Sequence, residues 1–199
     1  MIISTFELLV KPQLPKDSEL PVAIPDSVKE KIGRLRRTAI QGYFLTIANL
    51  SSVDLNLMLT FTVNLPSGIS IEDRDLIALL DTTGSNMGNN IFVTLEPGPG
   101  FTNKFFAVVP LMAQGTGLFL LQPNILKDNA KLLDDANFEV RGFAEVAVSS
   151  SSNVSVLITP EHRGTFFNNL TGDGSAGRDQ IAYSLPVQNG GLFTFNSST

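Results

Sequence analysis

Residues 138–167 read FEVRGFAEVAVSSSSNVSVLITPEHRGTFF, and this stretch decides the fold class. In its first half Phe138, Val140, Gly142, Ala144, Val146 and Val148 occupy alternate positions. Glu139, Arg141, Glu145 and Ser149 fall between them, with Phe143 and Ala147 as exceptions. A period of two sends successive side chains to opposite faces of a pleated strand. The polar run 149–153 breaks the pattern. Alternation resumes at Val154, Val156 and Ile158 and stops at Pro160. Two strands joined by a short polar run predict an antiparallel hairpin, expected here at the centre of a β-sandwich.

The cleanest alternation lies upstream. Tyr43, Leu45 and Ile47 share a face, residues 51–54 turn the chain, and Leu55, Leu57, Leu59, Phe61 and Val63 alternate with Asn56, Met58, Thr60, Thr62 and Asn64 as the return strand of a second hairpin. A slip of one residue would expose all of these large side chains, so the register is strongly specified. Shorter strands are expected over 91–95, 105–109, 118–121 and 181–187. Gln114 to Gly117 is expected to turn the second of these into the third, and Asn189-Gly190-Gly191 to make a final hairpin with Leu192–Phe195. Leu76, Ile77, Leu79 and Leu80 fit either a helix or a buried strand. Residues 1–10 alternate weakly, as a short edge strand would. Pro12, Pro15, Pro21 and Pro25 make residues 11–33 an extended arm. Within it Asp26 can cap a short helix carrying Val28, Ile32 and Leu35 on one side, in competition with a strand from Arg34.

The reading is all-β: a two-sheet antiparallel β-sandwich, immunoglobulin-like or jelly-roll, with about 8–10 strands and at most one or two short helices. One domain spans residues 1–199. The texture resembles immunoglobulin-like sandwich modules in general, a resemblance of architecture that implies no activity.

Composition narrows the function classes. The chain has 199 residues, 43% of them hydrophobic, enough to bury a core without staples. Cysteine is absent, which excludes disulfides, thiolate metal sites and thiol catalysis. The start, MIISTFELLV, has no basic residue before its apolar run, so no signal peptide is expected. No apolar run reaches the ~18 residues of a membrane helix. No membrane insertion and a cytoplasmic location are therefore expected. The net charge of −5 is uneven. Residues 28–37 hold Lys29, Lys31, Arg34, Arg36 and Arg37 against Glu30, a net of +4, leaving −9 elsewhere. An acidic body argues against nucleic acid as a partner.

Candidate chemistry is sparse. The single histidine, His162, has only its neighbour Glu161 as a nearby orienting acid, and adjacent side chains point apart. A hydrogen-bonded or solvated loop histidine is expected, and no catalytic residue is assigned. One histidine without cysteine does not make a zinc site. The loop 168–179 is rich in oxygen ligands, with Asp173 and Asp179 its carboxylates, but it lacks the calcium-loop pattern. Asp81-Thr82-Thr83-Gly84 is not the aspartic-protease signature, because Thr83 spoils the spacing. The glycines at 98–100 and 172–177 lack the phosphate-loop lysine. The Asn-x-Ser/Thr tripeptides, Asn49-Leu50-Ser51 among them, are expected by chance. More informative is one face of the 138–148 strand. Glu139, Arg141 and Glu145 are spaced for Arg141 to pair with either acid. Phe143 among them is an anchor for a partner or lies under a loop. The expected function is non-enzymatic self-assembly or protein binding, as a homo-oligomer or with a protein partner and without cofactor or metal. The alternative is a carbohydrate-binding module that uses loop Asn and Asp side chains with Tyr43 or Tyr183, with or without calcium at Asp173 and Asp179.

Overall fold

The computed structural model describes residues 1–15, 20–35, 37–64, 75–84, 91–98, 103–127, 131–148, 152–167 and 178–196. The chain is mostly strand, with two α-helices and antiparallel pairing throughout. In order it forms β1 (Ile2–Pro12), α1 (Asp26–Leu35), β2 (Thr38–Asn49), β3 (Leu55–Asn64), β4 (Leu76–Asp81), β5 (Ile91–Phe92) and β6 (Glu96–Pro97). Then come β7 (Lys104–Leu111), β8 (Thr116–Pro123), α2 (Lys131–Asp135), β9 (Phe138–Val148), β10 (Val154–Phe167), β11 (Arg178–Ser184) and β12 (Leu192–Phe195). The segment 76–80, ambiguous in sequence, is strand. The described residues hold twelve strands, where about eight to ten were expected. All of them connect into one sheet of order β5-β4-β8-β2-β1-β9-β3-β7-β6, with β10 on the free edge of β2 and β11 and β12 on β10.

This sheet curls into a half-barrel. The Phe61 and Phe119 rings stack at 5.6 Å although their strands, β3 and β8, lie four places apart in the sheet. Phe6, Tyr43 and Phe61 meet at 5.3–6.4 Å in the same interior. Leu55, Leu57, Leu59, Phe61 and Val63 are all buried, as their alternation requires. Burial of these aromatic and aliphatic side chains is the main driving force for the curl.

The expected hairpins do not form. β9 pairs with β1 and β3, whereas β10 pairs with β2, β11 and β12. β2 and β3 likewise find separate partners, and so do β7 and β8. In each case consecutive strands take up places apart in the sheet, so the connection between β2 and β3 and that between β7 and β8 are arches and not hairpin turns. Two arches lock together: Asn49, 1% exposed, donates to the carbonyls of Val53 (2.8 Å) and Met112 (2.9 Å) and accepts from Ser51 N–H (2.9 Å). Gln114 N–H donates to Ser51 O, and Asn49 N–H to Gly115 O. The final expected hairpin fails for another reason. β11 and β12 lie end to end on one edge of β10, joined through a left-handed turn at Asn189, Gly190 and Gly191.

Two more expectations change. β1 is no edge strand: it sits between β2 and β9. A bulge between Ile2 and Ser4 shifts its phase, so Ile3 and Phe6 are both buried and the alternation looks weak. Pro160 does not end β10, which runs on to Phe167. In an antiparallel strand the N and C=O of one residue face the same edge. Pro160 O accepts from Leu185 N–H, so the missing Pro160 donor faces the gap between β11 and β12 and no ladder bond is lost.

Candidate interaction surface

The residues with catalytic potential are built into the place where the sheet branches. One edge of β2 pairs with β1 over residues 38–41 and with β8 over residues 43–48. Where β1 leaves, its backbone at Glu7 would lose its partners. Two side chains replace them. His162 Nε2 accepts from Glu7 N–H at 3.0 Å, and Gln41 Nε2 donates to Glu7 O at 3.2 Å. Because Nε2 accepts, the neutral imidazole carries its proton on Nδ1, which donates to Tyr183 Oη at 2.9 Å. Tyr183 in turn donates to Gln41 Oε1 at 3.3 Å, closing the circuit. His162 is 5% exposed, and burial lowers its pKa, opposed by the charge of Glu7. Tyr43 nearby is fully buried, shares a 2.7 Å hydrogen bond with Ser4 Oγ, and is pushed far above the usual phenol range by that burial. His162 is thus mid-strand and buried, where a loop position was expected.

Other candidates are also engaged. Asp81 Oδ1 accepts from Thr83 N–H (2.8 Å), Thr83 Oγ1 (3.1 Å) and Gly84 N–H (2.9 Å), a turn that lowers its pKa through the Thr83 amide first. Arg141 pairs with Glu139 at 2.6 Å but not with Glu145; its other partner is Glu7, at 2.7 Å. Sequence reasoning missed Glu7, which lies 134 residues away and reaches Arg141 only through the β1–β9 register. Lys11 also binds Glu139 and is the first cause of its lowered pKa. Phe143 is half-buried, opposite Thr5 and Thr62, and Glu145 is half-buried opposite Thr60. Asp179 pairs with Arg37, and Asp173 lies outside the described residues. No cluster of three potential metal ligands occurs among the described residues.

A further feature of the described residues is apolar. Registers place Phe92, Leu79, Leu120 and Phe44 in one row across β5, β4, β8 and β2, on the outer face of the sheet. Ile77 and Leu118 flank this row. The inner face of the same strands carries Leu80, Phe119, Leu121 and Tyr43, all buried. These strands are therefore apolar on both faces, the pattern of strands covered on both sides. Yet the outer face is only partly covered: Phe92 is 73% exposed and Leu126 beside it 74%, while Phe44, Leu79 and Leu120 are partly buried. Phe92, Leu126 and Ile77 line a hollow of about 470 Å³. Phe92 also joins Met58 and Val108 around a cavity of about 590 Å³, so the apolar surface continues round the end of the curl. At its other end the Arg163 guanidinium lies 4.7 Å above the Phe44 ring, held by Glu161 at 2.9 Å.

No protein-family model, curated protein or solved structure matches the chain. No helix among the described residues is long and apolar enough to cross a membrane.

Proposed function

We propose that this protein is a non-catalytic self-assembly module, and that the outer face of β4, β8 and β2 is buried against a second copy. The observation that carries the reading is the row Phe92-Leu79-Leu120-Phe44, apolar side chains facing outward from strands whose inner faces already form the core. A contiguous apolar surface of this kind is an interaction site or an aggregation hazard. The charged pair at its β10 end supplies the polar rim usual at an interface. In this reading the two halves of the curled sheet work as the facing layers of a jelly-roll sandwich, and the protein acts through surfaces rather than reaction chemistry. Asp179, which the sugar-binding alternative would use, is engaged by Arg37.

The test is the solution mass by light scattering behind a sizing column. The native chain is expected to give a defined oligomer, and Leu120→Glu, with an unchanged far-UV spectrum, a smaller species. A native chain that remains monomeric across the accessible concentration range overturns the reading.

A further inference from the structure

A second unpartnered apolar surface lies on α1. Val28, Ile32 and Leu35 fall at spacings of four and three, on one side of the helix. Val28 is 42% exposed and Leu35 69%. An isolated ten-residue helix is marginal in water and draws its stability from a packed apolar side. The helix is anchored where the chain enters β2: Gln13 N–H donates to Arg37 O at 2.8 Å. Val28 and Leu35 nevertheless stay open, with Ile32 between them partly buried.

We infer that α1 of one copy docks its Val28-Ile32-Leu35 stripe on the outer face of β4, β8 and β2 of a second copy. The inference rests on the reading of that face as an interface. Two further observations favour this occupant. The first is size. The stripe is about 10 Å long at 1.5 Å per residue. Leu79, Leu120 and Phe44 span two strand spacings, also about 10 Å. The second is charge. α1 itself is +1, and the segment 28–37, which runs past its end through Arg36 and Arg37, carries +4 against −9 for the rest of the chain, so another copy's body attracts the segment in which the helix ends. An apolar contact within a basic segment on an acidic body also sets which surface meets which.

The absence of native cysteine makes a direct test clean. Chains with Leu35→Cys and chains with Leu79→Cys are mixed under mild oxidation. A disulfide needs Cα atoms within about 7 Å, so capture reports contact. Covalent heterodimer is expected in clear excess over a control pairing of Leu35→Cys with Thr194→Cys, on the distant β12. Val28→Glu/Leu35→Glu, which alters only exposed helix positions, is expected to shift the oligomer to a smaller species by light scattering. No heterodimer above the control, or an unchanged mass in the helix variant, overturns the inference. So does a bond that forms only within one chain carrying both cysteines. If Leu120→Glu reduces the mass while the helix variant does not, the face remains an interface and the assignment of α1 to it falls. If the native chain is monomeric, both readings fall together.

Discussion

Replacing His162 with alanine tests whether the ring holds the branch of the sheet. The substitution removes the acceptor for Glu7 N–H and the donor to Tyr183 Oη, together with edge contacts to the Tyr43 and Tyr183 rings at 6.2 and 5.3 Å. A buried amide left without a partner costs about 1–3 kcal/mol, and the lost ring contacts add about 0.5–1.5 kcal/mol. The expected loss is about 2–4 kcal/mol. For a chain of this length that lowers Tm by about 5–15 °C. Urea unfolding followed by far-UV circular dichroism measures the loss, since the chain has no tryptophan. Amide exchange at Glu7 should speed up more than at Leu57, in the core of β3.

The same ring fixes a pH dependence. Burial holds the folded pKa of His162 below its ordinary value of 6.5, so folding favours the neutral form. The unfolded chain binds that proton more readily. The contribution is therefore complete above about 6.5 and is lost as pH falls through the lower, folded pKa. The carboxylates titrate in both proteins, so the difference between native and variant isolates the imidazole. That difference should be constant at neutral and alkaline pH and shrink on acidification. A variant within about 0.5 kcal/mol of the native chain, or a difference that grows on acidification, refutes the structural role assigned to His162.

Two further perturbations test the arches and the curl. A Cβ on Gly142 would lie 2.1 Å from Thr62 O and 2.9 Å from the Phe6 ring, so Gly142→Ala must displace β3. A loss of about 3 kcal/mol or more, or failure to fold, is expected in urea titration, and near-native stability contradicts the β3–β9 register. Asn49→Ala deletes three hydrogen bonds, two within the 49–54 arch and one across to Met112 in the other, and about 2–4 kcal/mol is expected from the partners left unpaired. Asn49→Asp keeps the acceptor but loses both donors, so it should also be clearly destabilised; a neutral result from both variants removes the lock.

The inward faces were legible in the sequence and the connections were not. Alternation in Leu55–Val63 says which side chains meet the core. It says the same whether the next strand returns beside the first or crosses to the opposite half of the curl. A hairpin and an arch share one hydrophobic pattern, and they differ in who receives the backbone hydrogen bonds. Here Asn49 decides for the arch, through contacts with residues four and 63 positions away. The helix over 26–35 was one of two readings of that stretch: the spacing of Val28, Ile32 and Leu35 holds, whereas Asp26, expected as its cap, lies inside the first turn and pairs with Lys29. The reach of β10 was not, because Pro160 is compatible with a strand only when the edge beside its nitrogen is vacant. The outer apolar row did leave a signal: Leu76–Leu80 and Leu118–Leu121 are nearly continuous apolar runs, and a strand with one wet face would alternate.

The division of labour among the side chains follows from the branch. A sheet that curls by letting β1 leave β2 must end a ladder in a buried place, and buried peptide groups need partners. Polar side chains are the only groups that can supply them without another strand. Gln41 and His162 do so, Tyr183 completes the circuit, and Glu7 and Glu139 hold Arg141 on the same seam. The groups most suited to proton transfer are therefore engaged in holding the fold. In the proposed assembly the recognising surface is the row from Phe44 to Phe92, whose atoms offer no hydrogen bonds, so its recognition comes from shape and apolar burial. In the same proposal the helix that presents Val28 and Leu35 to water supplies the complementary shape. The +4 segment 28–37, which begins in that helix, supplies the orientation that an apolar contact by itself lacks.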